Sequence, residues 1–442
     1  MAPALGGSRR RARFVCLLWA TLVLGCESAV QPLGDDAEGG EPFDADPSDL
    51  EITQADPPDP ELREVRPDIE VPPPAVPPLG IPTIHTVEVE LSADDWALIH
   101  QDPLAEVEVP AQIAVDGVGA PGEFELHGGF ARTVAKKSYR VRLSDATPLA
   151  LFGEAEWHQR FVLQAAWIDP TWLRNPLTFG LVTALGGLAP RVSFAELFVR
   201  GEYEGLYQII ERVDEHYLDS RGLSRHAQLY KADTNSANWK AKVDPMSGFN
   251  LVLGDAERTA DLAALFNATT YTPATLTSFQ ENLEPLLDLE DFARWQRVMV
   301  LAGNRDSYTK NYYLYHAGGA PFRLVAWDCD ATWGVSWDGE PSPPDSLEWH
   351  GYDAFSPRLF SIPEYRERHV QASGDLLAGV GRVSRLGQSV RAAARHLEAA
   401  AARDAVRWPG RIPLAEAVAT LSQAIEQRAA ALGEVLEGLA GD

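Results

Sequence analysis

Only three cysteines occur in 442 residues, and two of them, Cys16 and Cys26, sit at the N-terminus, leaving Cys329 alone in the body. A disulfide framework is therefore excluded, and no Cys/His cluster has the spacing of a zinc site. Basic residues are scarce: 38 Lys and Arg stand against 64 Asp and Glu, a net charge of −26. A surface of that sign repels a polyanion, which excludes nucleic acid as a partner. The chain also lacks a Walker A loop and a His-Glu-x-x-His sequence. No internal repeat is evident.

What is present begins with an address. Arg9, Arg10, Arg11 and Arg13 form a basic segment, followed by an apolar run from Phe14 to Gly25. That run is about half the ~20 residues a spanning helix needs, so residues 1–26 read as a signal peptide. Its end, Leu22-Val23-Leu24-Gly25-Cys26, resembles a bacterial lipobox, although Leu24 is bulkier than usual at its position. The resemblance implies a lipid on Cys26 and a body tethered on an extracytoplasmic face: outer membrane, periplasmic or cell surface. The alternative is an ordinary signal peptide with an incidental cysteine. Residues 27–84 carry fifteen Asp and Glu against Arg63 and Arg66, are rich in proline and are poor in aromatics. Such a segment buries too little apolar surface to offset its ordering entropy, so a disordered, extended linker is expected there.

The 45% hydrophobic content of the chain implies a globular body after the linker. Thr86 to Leu91 alternates as a half-buried strand, and Ser92 opens a short capped helix. Strands are expected around Val107 to Val115 and Phe124 to Leu126, with an Asp116-Gly117 hairpin turn. His127-Gly128-Gly129 then leads towards Lys136, Lys137 and a strand to Leu143. A glycine turn followed by cations suits a loop over phosphates. Gly-Gly turns and lysines on strands are also ordinary features, so this pattern is weak by itself.

The most informative stretch is Asn304 to Asp330. Asp306 and Asn311 lie in a loop, Tyr312 to Tyr315 is an aromatic strand, Gly318-Gly319 is a turn, and Phe322 to Trp327 is a second strand. The hairpin returns Asp328 and Asp330 to the side of Asp306 and Asn311. Protein kinases hold a hydroxyl nucleophile and two magnesium ions with an Asp, an Asn and an Asp brought together in this way. The bland alternative is that each motif is common and merely ends a strand. Asp291 to Leu301 reads as a helix with one apolar face that delivers the loop. Asp169-Pro170 reads as the N-cap and first position of a helix through Leu185, with Arg174 and Asn175 as its exposed polar residues.

Six landmarks occur in the order seen in the CotH (spore coat protein H-like) kinase family. They are Lys136-Lys137-Ser138-Tyr139, Asp169 to Asn175, Arg200 to Tyr207 with Glu211, Leu229-Tyr230-Lys231, Asn304-x-Asp306, and Trp327-Asp328-x-Asp330. The sequence resembles that family from about Ile84 to Arg428. The resemblance implies an α+β, atypical kinase-like bilobal fold, with a mixed or antiparallel sheet in the N-lobe and a helical C-terminal part. It implies binding of ATP and Mg²⁺, or Mn²⁺ in its place. Asp306 would match the catalytic acid; Asn311, Asp328 and Asp330 the metal ligands; and Lys136 or Lys137 the nucleotide lysine. Gly128, Gly129 and Lys231 join the expected nucleotide site. Glu211 is the expected ion-pair partner of the lysine. Arg174 either clamps phosphate or ties its helix to a carboxylate, the second being the stronger reading.

The expected domain is 85–442, divided into an N-lobe at 85–231, an insertion over the cleft at 232–280, a catalytic segment at 281–340 and a helical part at 341–442. The expected reaction is phosphorylation of Ser or Thr hydroxyls on a secreted or cell-surface protein. Two other classes stay open: a non-catalytic surface binding or adhesion module, and a metal-dependent hydrolase, which would not need the lysine strand.

Overall fold

The computed structural model describes residues 79–80, 82–153, 155–342 and 347–441. The expected signal peptide, the expected lipidation site at Cys26 and the expected linker up to residue 78 lie outside the described residues. The packed body begins before the expected boundary at 84, because Leu79 is buried in the main core. Among the described residues no helix is long and apolar enough to cross a membrane.

Seven strands form the first sheet: β1 (Ile84–Glu90), β2 (Glu108–Val115), β3 (Val118–His127), β4 (Ser138–Leu149), β5 (Glu156–Gln164), β6 (Val192–Val199) and β7 (Glu202–Glu211). The sheet closes on itself in the order β1-β2-β3-β4-β5-β7-β6, a barrel of antiparallel pairs with one parallel pair. Closure comes from parallel pairing of β1 with β6, Ile84 opposite Phe194 through Val89 opposite Val199. Alternation explains the interior. Val87 and Val89 of β1 point inward between exposed glutamates, and meet Phe124, Tyr139, Val141, Phe161 and Leu197. The Asp116-Gly117 turn has φ of 50° and 80°, the left-handed pair a two-residue hairpin turn requires. Helix α1 (Ala93–Gln101) is capped as expected by Ser92, whose side chain accepts from Asp95 N at 3.0 Å.

β7 is buried at every position from Glu204 to Glu211, because both its faces are covered. Tyr207 and Ile209 face the barrel interior, while Leu206 and Ile210 join a second, larger core. That core is built on α2 (Arg174–Ala184), α3 (Glu215–Asp219), a sheet, and the remaining helices. The sheet comprises β8 (Ala227–Ala232), β9 (Phe249–Leu253), β10 (Tyr312–Ala317) and β11 (Arg323–Ala326), antiparallel in the order β11-β10-β8-β9. The helices are α4 (Ala260–Tyr271), α5 (Leu276–Asn282), α6 (Leu289–Ala302), α7 (Ser356–Leu359), α8 (Pro363–Ala378), α9 (Val383–Arg407) and α10 (Leu414–Gly441).

Residues 232–280 carry β9, α4 and α5, and Trp239, Phe249, Leu265, Phe266 and Phe279 of this segment are buried in the main core. Two expectations need correction here. α6 is not apolar on one face only but buried almost all round, and its buried Asp291 accepts from Leu324 N at 2.9 Å. α2 starts at Arg174, not at Asp169, because Trp172 takes a left-handed φ of 56° that no helical turn accommodates. Asp169 still serves the helix start from a distance, accepting from Arg174 N at 2.9 Å.

Candidate functional site

The hairpin β10–β11 sets the site. Tyr312 lies opposite Ala326, so Asn311 and Trp327 emerge side by side at its open end. Asn311 N donates to Ala232 O at 2.9 Å, which ties the loop to β8 as well. α6 ends at Gly303 in the left-handed conformation and releases Asn304 to Asp306 towards the same point. The result is a cleft of 770 Å³ lined by Asp306, Asn311, Asp328 and Asp330 on one side, with Gly128 and Gly129 of the loop after β3. The convergence expected from the sequence is present.

Within it, Asn311 Nδ2 donates to Asp306 Oδ2 at 2.8 Å, and Lys310 Nζ lies 3.4 Å from the same oxygen. Asp328 and Asp330 share one donor: Gln164 Nε2, at the end of β5, is 2.9 Å from Asp330 Oδ2 and 3.4 Å from Asp328 Oδ1. They reach the same side through a turn with Asp328 at φ 52°, not through strand parity. Asn and Asp tolerate this left-handed region better than other residues with a Cβ. Burial raises both carboxyls above the ordinary aspartate range, and neighbouring carboxylates add to it: Asp306 on Asp328, and Asp328 on Asp330. A cation beside two such acids would favour their charged forms.

Sequence reasoning missed the support for this corner. Asn175 is fully buried, not exposed, and its Nδ2 donates to Gln164 Oε1 and to Gln208 Oε1 on β7, both at 3.0 Å. Its Oδ1 accepts from Cys329 N at 2.7 Å, between the two aspartates. One amide therefore joins α2, β5, β7 and the acidic turn. The only sequence signal was an Asn in the first turn of an apolar helix.

The expected nucleotide residues divide. Lys231 lines the cleft, held by Asp233 at 2.6 Å. Lys136 does not: it is wholly buried, 2.6 Å from Asp404 Oδ1 of α9 and 2.5 Å from Leu206 O. Burial brings its pKa down to about 7, against the upward pull of Asp404. Lys137 folds back on the glycine loop, donating to Arg132 O and Val134 O at 2.6 Å. Both lysines precede β4, which begins at Ser138. Glu211 pairs with Arg191 at 2.8 Å and Arg221 at 2.7 Å, so the lysine's carboxylate partner is Asp404 instead. Arg174 takes the tying role, 2.6 Å from Asp169 Oδ1 and 3.0 Å from Thr332 O, away from the cleft. Among the described residues, no group of three or more His, Cys, Asp or Glu is assembled to hold a metal by itself.

Residues 124–432 match the family described as CotH kinase protein. Inner spore coat protein H of Bacillus subtilis is 29% identical over 290 residues, which span 63% of this chain and 75% of that protein. Invasin CotH2 of Rhizopus delemar is 24% identical over 239 residues, 49% of this chain and 38% of that protein. The Helicobacter pylori proinflammatory kinase CtkA gives a TM-score of 0.30 at 7% identity, covering 69% of this chain and 95% of CtkA. A Shewanella oneidensis HipA, HipB and operator DNA complex gives 0.25 at 16% identity, covering 65% of this chain and 64% of the matched one. Superpositions that loose carry no weight, and the assignment rests on the sequence match across most of the body: the chain belongs to the CotH kinase family.

Proposed function

We propose that the cleft transfers a phosphoryl group from ATP to a Ser or Thr hydroxyl of a protein on the extracytoplasmic side of a membrane, to which Cys26 tethers the enzyme. The observation that supports it most is the meeting of the Asp306–Asn311 pair with the Asp328–Asp330 pair in one recess. Asp328, Asp330 and Asn311 would hold Mg²⁺. Two carboxylates and an amide oxygen suit that ion, which takes its remaining ligands from phosphate and water rather than from an all-protein cage. The bound ion supplies charge neutralisation on the phosphates.

The chain's own residues do the positioning. Asn311 and Lys310 both occupy Oδ2 of Asp306, and no hydrogen bond to its Oδ1 occurs among the described residues. That oxygen is left to orient an acceptor hydroxyl and take its proton as the bond to phosphorus forms. The Asn311 amide, fixed by donating to Asp306, keeps its carbonyl oxygen for a cation. The Gln164–Asn175 network ties the acidic turn to α2, β5 and β7, which pre-positions the two aspartates for transfer.

Calorimetry with Mg-ATP, beside mass spectrometry of co-expressed secreted proteins, tests this reading. Asp306→Ala should bind Mg-ATP nearly as the wild type does while transfer falls ~10²–10³-fold, the loss of one transition-state contact. If the wild-type protein binds no nucleotide at any magnesium concentration, the phosphotransfer reading is wrong.

A further inference from the structure

The cleft that holds the aspartates also gathers cations, with Glu106 and Asp233 among them, in a chain whose net charge is −26. Arg132, Arg140, Arg212 and Lys231 all line it. All four act on the imidazole of His127, which burial above all, and then these charges, holds well below its ordinary pKa. Two of the cations are already engaged: Arg132 donates to Leu126 O at 3.1 Å, and Lys231 pairs with Asp233. Two are not fully bonded. Arg212, the residue after β7, makes no hydrogen bond or salt bridge among the described residues. Arg140 of β4 is 2.6 Å from Glu125, its cross-strand neighbour on β3, yet its Nε is buried with no hydrogen-bond partner. The two guanidiniums are near enough for each to act on the other's charge, and burial is the main cause that lowers the Arg212 pKa.

We propose that Arg140 and Arg212 grip the phosphates of a nucleoside triphosphate in this cleft, in the place the sequence reading gave to Lys136 or Lys137. This rests on the phosphotransfer reading above. Like charges gathered in a recess are stable only beside an anion, and the acidic corner opposite would bind the cation of the same ligand. A guanidinium presents a planar fork of donors that matches phosphate oxygens, which a single ammonium does not. Glu125 pairs with one end of Arg140 from the adjacent strand, and the exposed part of the guanidinium is left for the ligand. Lys136 instead locks the barrel to α9 through Asp404.

The test is calorimetry on the full chain with two probes, Mg-ATP and inorganic tripolyphosphate. The variants are Arg140→Gln, Arg212→Gln, and the double variant Lys136→Met/Asp404→Asn, which removes both charges of the buried pair. Loss of one charge-assisted contact should weaken both probes ~10–100-fold in each arginine variant. The double variant should lower the melting temperature and leave both affinities within about twofold of the wild type. If the arginine variants bind Mg-ATP as the wild type does, or a folded double variant loses it, the assignment is overturned while the phosphotransfer reading stands. If the wild type binds tripolyphosphate through the arginines but not Mg-ATP, the anion site stands and the nucleotide reading falls. If it binds neither probe, both fall.

Discussion

Asp328 and Asp330 are acids in a place that resists their charge. Burial is the first cause of their raised pKa values, and neighbouring carboxylates are the next. A carboxyl whose folded pKa lies above its unfolded value retains protons that the unfolded chain releases. Stability from this source is therefore complete at low pH and is lost as pH rises through the raised folded values. A divalent cation held there, as proposed, would reverse that loss, because it would bind the ionised pair. The melting temperature gained on adding Mg²⁺ should accordingly grow between about pH 5 and about pH 8. Asp330→Asn should raise the metal-free melting temperature at the upper pH and flatten the magnesium response. An equal magnesium effect at both values, in wild type and variant alike, would mean that these carboxyls do not form the cation site.

At the scale of elements, α2 and β7 carry the acidic corner. Asn175 spends both of its amide hydrogens and its carbonyl oxygen on three different segments. Replacing it with Leu leaves Gln164 Oε1, Gln208 Oε1 and Cys329 N without this partner. Each stranded group costs ~1–3 kcal/mol, so Asn175→Leu should unfold at markedly lower denaturant and weaken Mg-ATP binding together. Denaturant titration beside calorimetry checks both. Loss of stability with unchanged nucleotide affinity would show that the network holds the fold but does not place the aspartates. The C-terminal helix reaches the site from the other side: Arg428 of α10 donates from Nε to Leu301 O at 3.2 Å, at the end of α6. Gly303 is required there as well as for its positive φ, since a Cβ would lie 2.9 Å from the Arg428 guanidinium carbon.

For the whole molecule, the tether proposal makes a separate prediction. Residues 9–26 combine a basic start, a short apolar run and the Gly25-Cys26 junction. Cys26→Ala should release the protein from membranes into the soluble fraction after a salt wash, because the apolar run alone is too short to span. A variant that still fractionates with membranes would contradict lipidation at Cys26. The body itself is a barrel with its own core joined to a larger helical and sheet core, and the cleft draws on both. Gly128 and Gly129 follow a barrel strand, whereas Asp306, Asn311, Asp328 and Asp330 come from the second core. Phe130 and Trp337 meet edge to face, with ring centres 5.7 Å apart, one from each side of the cleft.

What the sequence alone determined is what short-range chemistry encodes. Ser92 and Asp288 cap their helices, Asp116-Gly117 turns a hairpin, and β10 and β11 fold back within a few residues. The last of these was enough to bring Asn311 beside Trp327 at the edge of the acidic corner. The tertiary structure decided everything that depends on a distant partner. Lys136 reads locally as a cation beside a glycine loop, but its carboxylate lies 268 positions away on α9, and only packing of that helix against β7 brings them together. Glu211 is drawn off by Arg191 and Arg221, Asn175 is buried by three segments at once, and β1 closes the barrel by pairing with β6 across a hundred residues of chain. Periodicity and turn residues report the conformation of a segment, because sterics and hydrogen bonding within it dictate that conformation. They carry no record of which buried charge finds which partner. That choice is made when the cores close and each ionic group must pair or remain in water.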